Sequence, residues 1–215
     1  IACVTKRENP FDALISRNNI KLNDLPKGAK IGTGSLRRMS QLKHYRPDFN
    51  LFPLRGNLET RLKKLNSEGL DAIILAAAGL IRLGWDEQIT ELISPEILLP
   101  AMGQGAVGIE TRKNDVDNQI LLADMDDEET HYTLDAERAL VSQLQGGCNV
   151  PIGSFATIKD DQITLTGLVA SLDGKTVYKK ELTDLKTNAI AVGRKIGEEL
   201  IEMGADKIMK EIQSM

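Results

Sequence analysis

The chain has 215 residues, of which 41% are hydrophobic and 27% charged, and this length and composition suit a folded globular protein of two ordinary domains. Its 27 basic and 31 acidic residues give a net charge of −4, which argues against a general nucleic-acid-binding protein. The longest apolar run, residues 72–81, is half as long as the about 20 residues that a membrane-spanning helix needs. Two cysteines and two histidines are too few for a disulfide framework or a thiolate zinc site. We therefore expect a cytoplasmic protein with no metal and no membrane partner.

The first half of the chain alternates short apolar runs with helical patterns. Strands are predicted at residues 30–33, 50–54 and 71–75, and helices at about 35–45 and 57–67, with an alanine-rich helix ending near Leu83 and a further helix near 86–93. The run after Asp71 is entirely apolar, as expected of a buried parallel strand. Strand–helix alternation at this spacing predicts right-handed βαβ units and an α/β layer.

The pattern changes around Pro95 and Pro100. A glycine-rich stretch at residues 102–110 is interpreted as a hinge or crossing, and an acidic linker leads into a helix predicted over about 130–144. Three β-like runs follow at residues 152–158, 163–171 and 176–182, with hairpin turns at 160–161 and 173–174. A helix over about 188–203, ended by Gly204, and a short helix beyond it complete an α+β unit.

A basic segment is hidden in the mild net charge. Residues 30–64 hold nine basic and two acidic residues, a charge of +7, so the rest of the chain carries −11. Arg37, Arg38, Arg55 and Arg61 fall where predicted strands end and helices begin, although a helix N-terminus already carries roughly half a positive charge. Ligands of open parallel sheets bind at this edge, and arginine suits bidentate recognition of carboxylate or phosphate, so the pattern predicts a site for a small polyanion.

Other interpretations of the basic residues are weaker or local. For Lys43, Arg46, Lys63 and Lys64 a solvated helical face is the better interpretation. Aromatic residues make up 4% of the chain, and none alternates with the arginines to form a base-stacking surface. The glycines at residues 32–34 and 103–105 lack the third glycine of a dinucleotide fingerprint.

Cys148 lies between two glycines, Gly146 and Gly147, and Pro151. A thiol on a loop between a helix and a sheet is placed for covalent chemistry. From composition alone a buried structural cysteine is the better interpretation, since free cysteines are usually buried. Cys3 is predicted to be a packing residue.

Several motifs together resemble those of the porphobilinogen deaminase (hydroxymethylbilane synthase) family. They are GTGSLRR at 32–38, LRGN at 54–57 with TRL at 60–62, DAIILA at 71–76 with AGL at 78–80 and RLG at 82–84, LPAMGQGA at 99–106, and Glu137-Arg138. GGCNVPIG at 146–153 resembles the loop that carries the family's cofactor cysteine. The similarity extends from residue 1 to the end of the chain.

The resemblance implies a transferase of tetrapyrrole and heme biosynthesis that joins four porphobilinogen molecules into linear hydroxymethylbilane, with release of ammonia, on a dipyrromethane primer. Implied cofactor-binding residues are Cys148 (covalent thioether), Thr33, Ser35, Arg37, Arg38, Arg61, Ala76, Gly79, Gln104 and Gly105, and implied substrate-binding residues are Arg55, Asn57 and Arg82. The arginines would bind the acetate and propionate groups of cofactor and substrate. Implied partners are porphobilinogen and linear oligopyrroles, with no nucleic acid, and the family is monomeric.

The resemblance also implies a division of the chain. Residues 1–10 resemble the tail of domain one, 11–99 a periplasmic-binding-protein-like α/β domain two, 100–125 a hinge and a segment returning to domain one, and 126–215 a small α+β domain three with a three-stranded antiparallel sheet. The family's amino-terminal third, with its catalytic aspartate, has no counterpart here. We therefore expect no catalytic residue, no turnover by this chain alone and no attached cofactor. The alternative is a non-catalytic α/β module that binds polycarboxylates or other anions, which would need no thiol at position 148.

Overall fold

The structure is a computed structural model that describes residues 1–145 and 150–213. Cys148 lies outside these residues, so its role stays a prediction. The strands are β1 (Cys3–Val4), β2 (Asp12–Ser16), β3 (Lys30–Gly32), β4 (Asn50–Phe52), β5 (Ala72–Ala76), β6 (Glu91–Ile93), β7 (Gly108–Ile109), β8 (Ile152–Lys159), β9 (Gln162–Ala170) and β10 (Val177–Leu185). The helices are α1 (Leu36–Tyr45), α2 (Leu58–Ser67), α3 (Ala77–Arg82), α4 (Val116–Leu122), α5 (Glu128–Gln143), α6 (Ala189–Met203) and α7 (Ala205–Gln213).

Within residues 1–145 and 150–213, no helix is both long enough and apolar enough to cross a membrane. Among the same residues, no three His, Cys, Asp or Glu side chains come together in a way that could hold a metal ion.

A mixed five-stranded sheet, in the order β4-β3-β5-β2-β6, forms the centre of the first half. Strands β4, β3 and β5 are parallel, whereas β2 is antiparallel to both β5 and β6. The register places Asp12 opposite Ala76, so β2 begins at the edge where the parallel strands end. The carboxyl ends of β4, β3, β5 and β6 and the first residue of β2 therefore share one edge of the sheet.

Strand β5 is buried on both faces, as its apolar sequence predicts. Ile74 packs with Leu42 of α1 in one core cluster, whereas Ile73 and Leu75 pack in the cluster on the opposite face. Successive side chains of a strand point to opposite faces, so an apolar strand of this kind needs helices on both sides. This covering leaves the strand ends as the accessible part of the sheet.

The helix predicted near residues 86–93 is wrong. The chain forms a 3₁₀ turn at Asp86–Gln88 and then the edge strand β6. The β-branched residues Ile89, Thr90 and Ile93 favour extended backbone, and pairing with β2 supplies the hydrogen bonds that a helix would have made internally.

The second half is the predicted α+β unit with a three-stranded antiparallel sheet, in the order β10-β9-β8. Helices α5 and α6 cover one face of it around Leu140, Leu165 and Ile196. A Cβ at Gly193 would lie 2.2 Å from the carbonyl oxygen of Ala136, so the two helices cross at a position that only glycine can occupy. The predicted stop at Gly204 is confirmed by its left-handed φ of 110°.

Candidate anion-binding site

The loops that follow β3 and β4 meet at the carboxyl edge of the sheet. A Cβ on Gly34 would lie 2.5 Å from the carbonyl oxygen of Leu54, so this approach requires glycine. Helix α1 begins directly after this loop, and its N-cap residue Ser35 makes no side-chain capping hydrogen bond. The first-turn N–H groups of α1 are thus left without a capping side chain at an edge where anions are favoured.

Arg37 and Arg38 are buried and share one carboxylate, that of Asp12. Arg37 donates from Nη1 to Asp12 Oδ2 at 2.8 Å and from Nη2 to Oδ1 at 3.1 Å. Arg38 donates from Nε to Oδ1 at 2.9 Å, and its Nη2 lies 2.8 Å from the same oxygen. Asp12 itself is fully buried, so the three side chains form a compact ionic cluster with a net charge of +1.

The environment keeps Asp12 ionised. Burial by itself would raise its pKa, but the charges of Arg38 and Arg37 and their hydrogen bonds lower it to about 2. Burial lowers the pKa of Arg38. The charge and hydrogen bond of Asp12 raise this pKa, whereas the like charges of Arg37 and Arg61 lower it further.

The remaining predicted arginines present their side chains at the same edge with fewer partners. Arg61 donates from Nε to the carbonyl oxygen of Gly56 at 2.7 Å, and Arg82 donates from Nη2 to that of Gly105 at 2.7 Å. Arg55 and Arg82 are exposed, and Arg61 is half-buried. These arginines can meet a ligand at the surface, whereas Arg37 and Arg38 lie beneath it.

Gln104 ties the ionic cluster to the glycine-rich loop. Its Nε2 donates to Asp12 Oδ1 at 3.0 Å and to the carbonyl oxygen of Pro10 at 2.6 Å, and its Oε1 accepts from Arg37 at 3.3 Å. Gly105 has a φ of 90°, and a Cβ there would lie 2.4 Å from the carbonyl oxygen of Glu8. The loop is therefore held tightly against residues 8–12.

Other residues predicted for the site already have structural partners. Thr33 is fully buried, and its Oγ1 accepts a long hydrogen bond of 3.4 Å from the Ser35 N–H. Asn57 caps α2, since its Oδ1 accepts from the Thr60 N–H at 2.8 Å. Ala76 and Gly79 lie at the start of α3, on the same edge. Their proximity to the strand ends agrees with a lining role, which stays a prediction.

Sequence reasoning did not single out Asp12, and it placed a second buried carboxylate, Glu137, in a family motif without assigning it a role. Glu137 is fully buried and accepts from Arg7 Nη1 at 2.6 Å and Nη2 at 3.2 Å, from the Gly103 N–H at 2.7 Å and from the Ala156 N–H at 2.9 Å. The spacing of Glu137 could have indicated its burial, because it lies three residues from both Leu134 and Leu140 on the apolar face of α5. The burial of Asp12 is indicated more weakly, by its position directly before the short apolar run of β2.

Comparison with known proteins agrees over both halves of the chain. Residues 1–120 match a family model described as "Porphobilinogen deaminase, dipyromethane cofactor binding domain", and residues 131–202 match "Porphobilinogen deaminase, C-terminal domain". Similar curated proteins include a porphobilinogen deaminase of Desulforamulus reducens, 49% identical over 214 residues, and one of Syntrophobacter fumaroxidans, 46% identical over 212 residues. These alignments cover 100% and 99% of this chain, and 69% of each relative.

Proposed function

Since the chain belongs to the porphobilinogen deaminase family, we propose that its strand-end edge binds the carboxylate groups of porphobilinogen and of the linear oligopyrroles made from it. Members of the family are transferases of porphyrin biosynthesis that use a dipyrromethane cofactor. The observation that carries the proposal is the ionic cluster of Asp12, Arg37 and Arg38, which leaves one positive charge uncompensated beneath exposed arginines. A polycarboxylate supplies the missing negative charge.

The residues of the edge fit a dipyrromethane group that bears several carboxylates. Arg37 Nε is buried, and it has no hydrogen-bond partner within residues 1–145 and 150–213. Buried donors are normally paired, so an unpaired guanidinium N–H beside a cationic edge favours an acceptor supplied by a ligand. When bound, the dipyrromethane group supplies the primer on which the pyrrole chain grows.

Different residues of the chain bind the ligand at different positions along the edge. Arg38 and Arg61 bind carboxylates between the β3 and β4 loops, and the uncapped N–H groups of α1 donate to the same oxygens. Arg82 binds from α3, on the side of the glycine-rich loop, and Arg55 binds from the exposed end of β4. Ser35 lines the entrance, and Cys148 attaches the primer.

Calorimetry with a dipyrromethane carboxylic acid tests the binding edge. The Arg61→Ala, Arg82→Ala double variant should bind ~10-fold or more weakly than wild type, because the ligand loses a charge-assisted contact with each guanidinium. Lys63→Ala is the matched control, since Lys63 lies on α2 in an exposed ion pair with Glu59, and it should bind as wild type does. Equal affinity of the double variant and wild type would contradict the proposal.

Intact-mass measurement tests the attachment at Cys148. We expect the chain expressed alone to be unmodified, and the chain coexpressed with the amino-terminal third of a longer relative to gain the mass of a dipyrromethane. Cys148→Ser should abolish this gain, whereas Cys3→Ser, at a fully buried cysteine of β1, should keep it. A wild-type chain that stays unmodified on coexpression, or a labelled Cys148→Ser variant, would overturn the assignment.

We further propose that these 215 residues do not turn over porphobilinogen by themselves. They align with 69% of the length of the relatives compared. The charges of Arg38 and Arg37 and their hydrogen bonds lower the pKa of Asp12, the buried carboxylate of the edge, to about 2, so it stays ionised near neutral pH and holds no proton to donate. Purified chain mixed with porphobilinogen should form no uroporphyrin-type product, and clear formation of that product would refute the claim.

A further inference from the structure

A fully buried carboxylate lies at the centre of an edge that we assign to carboxylate binding. Asp12 opposes the charge of such a ligand, and removing it would raise the charge of the cluster from +1 to +2. If charge alone governed binding, Asp12 would weaken it. Its presence therefore calls for a different role, which its contacts define.

Asp12 holds both arginines in two-point contacts. Arg37 reaches both carboxylate oxygens through its two Nη atoms, at 2.8 and 3.1 Å, whereas Arg38 reaches Oδ1 through Nε and Nη2, at 2.9 and 2.8 Å. Two contacts on a planar guanidinium fix the orientation of its plane as well as its position. One carboxylate thus sets the orientation of two ligand-binding groups.

The cluster is anchored to the backbone around it. Arg37 Nη1 also donates to the carbonyl oxygen of Leu99 at 2.7 Å, and Arg38 Nη1 donates to that of Ile74 at 3.1 Å. Asp12, the first residue of β2, is paired with Ala76 of β5 on one side and with Ile93 of β6 on the other. Both guanidinium groups are therefore held by a rigid element before any ligand arrives.

We propose that Asp12 is a positioning residue of the anion-binding edge, which fixes the guanidinium planes of Arg37 and Arg38 for the carboxylates of an incoming pyrrole while leaving one positive charge uncompensated. The inference rests on the proposed function and goes beyond it, because it assigns a role to a carboxylate that acts through two arginines. It also predicts that the site is preorganised, so that little side-chain ordering accompanies binding.

Two substitutions separate positioning from charge. Asp12→Asn removes the negative charge, so binding by charge alone would become tighter, whereas loss of positioning makes it weaker. Asp12→Glu keeps the charge and displaces the carboxylate by one methylene, so binding by charge alone would be unchanged. Positioning predicts weaker binding for both variants, by ~10-fold or more, the loss expected for a disturbed charge-assisted contact.

Calorimetry with porphobilinogen measures these effects, with Asp48→Asn as the matched control. Asp48 forms a two-point ion pair with Arg46 in the same basic segment, away from the edge, and its substitution should leave the affinity unchanged. The number of sites distinguishes a misfolded fraction, which lowers the stoichiometry, from a weakened site, which raises the dissociation constant. Wild-type affinity in Asp12→Glu, or tighter binding in Asp12→Asn, would overturn the inference.

A measurement on the wild-type chain keeps the inference testable if neither variant folds. Nitrogen NMR relaxation of the arginine Nε–H groups should show Arg37 and Arg38 to be as rigid as the backbone in the ligand-free chain, and Arg55 to be mobile. Mobility of Arg37 and Arg38 equal to that of Arg55 would refute positioning. Absence of any porphobilinogen binding by the wild type would instead refute the proposed function, since the relaxation result does not depend on a ligand.

Discussion

Asp12 and Glu137 are both fully buried carboxylates that bind arginine, but their surroundings differ in charge. Asp12 faces two arginines, so its cluster keeps one positive charge. Glu137 faces one arginine, Arg7, and two backbone N–H groups, so its cluster is neutral. One arginine makes the Arg7–Glu137 cluster, the neutral joint, whereas a second arginine leaves the Asp12 cluster with a charge of +1 that, in the proposed function, a ligand carboxylate balances.

The pKa values of the two carboxylates shift in opposite directions, because the number of arginines that offset burial differs. Burial raises the pKa of Glu137, because one arginine and two backbone donors do not offset the loss of water. At Asp12 the second arginine reverses the outcome, and the pKa falls to about 2. The additional guanidinium therefore decides both the charge of the cluster and the protonation of its carboxylate.

The neutral joint connects segments that are distant in the sequence. Arg7 Nε donates to the carbonyl oxygen of Gln104 at 3.0 Å, and its guanidinium lies over the ring of Phe155, 5.6 Å from the centroid. Glu137 thereby joins the start of the chain, the glycine-rich loop, α5 and β8. Since Gln104 also contacts Asp12, one loop residue touches both ionic centres.

The largest effect is expected from breaking the neutral joint. Glu137→Ala leaves Arg7 and two backbone N–H groups unpaired in the interior, and should lower the free energy of unfolding by about 3–5 kcal/mol. Urea denaturation measures the loss. Glu59→Ala, in the exposed pair with Lys63, is the control and should change stability by about 0.5 kcal/mol or less. A loss for Glu137→Ala no larger than that of the control would show that the joint is not structural.

The two carboxylates should give opposite dependences of stability on pH. The folded pKa of Asp12 is about 2, below its ordinary value of 3.8, so its contribution of roughly 2 kcal/mol is present above about pH 4 and is lost as the pH falls towards 2. The folded pKa of Glu137 is raised above 4.5, so the folded state binds a proton more readily there and stability falls as the pH rises through that raised value.

Urea denaturation across pH separates these two effects. Asp12→Asn should remove the loss of stability at acid pH, and Glu137→Gln should remove the decrease that accompanies ionisation of Glu137. Identical pH profiles for wild type and both variants would contradict the assignment of opposite shifts.

A smaller loss of stability is expected from removing the second arginine of the charged cluster. Arg38→Met leaves Asp12 paired with Arg37 and leaves the Ile74 carbonyl without this donor. The free energy of unfolding should therefore fall by only about 1–2 kcal/mol. Binding of a dipyrromethane acid should nevertheless fall ~10-fold or more, because the cluster becomes neutral. A stability loss equal to that of Glu137→Ala, with binding retained, would erase the distinction between the two centres.

The smallest effect concerns the aromatic ring beside the neutral joint. Phe155→Leu keeps an apolar side chain but removes the ring under Arg7, and should lower stability by ~0.5–1 kcal/mol. Affinity for the dipyrromethane acid should not change, since the ring of Phe155 contacts Arg7 and Phe11, which do not belong to the charged cluster. A loss of affinity comparable to that of Arg38→Met would show that the two centres are coupled.

Local sequence features predicted most of the elements. The helices α1, α2, α5 and α6 and the strands β8, β9 and β10 follow from periodicity and turn residues that lie next to them in the chain. The wrong helix near residues 86–93 has a tertiary cause, because Glu91–Ile93 becomes a strand only through pairing with β2. Strand β2 was itself not predicted, since five residues carry too little periodicity to be distinguished from a loop.

The sequence by itself determined the family, the α/β and α+β halves and the place of the arginines, because these depend on motifs and on spacing along the chain. The tertiary structure alone decided what the arginines contact. Asp12 lies outside the basic segment, 25 residues from Arg37, and Arg7 lies 130 residues from Glu137. The pairing of such charges depends on which strands and helices become neighbours, and each buried charge takes its final energy from that neighbourhood and not from its position in the chain.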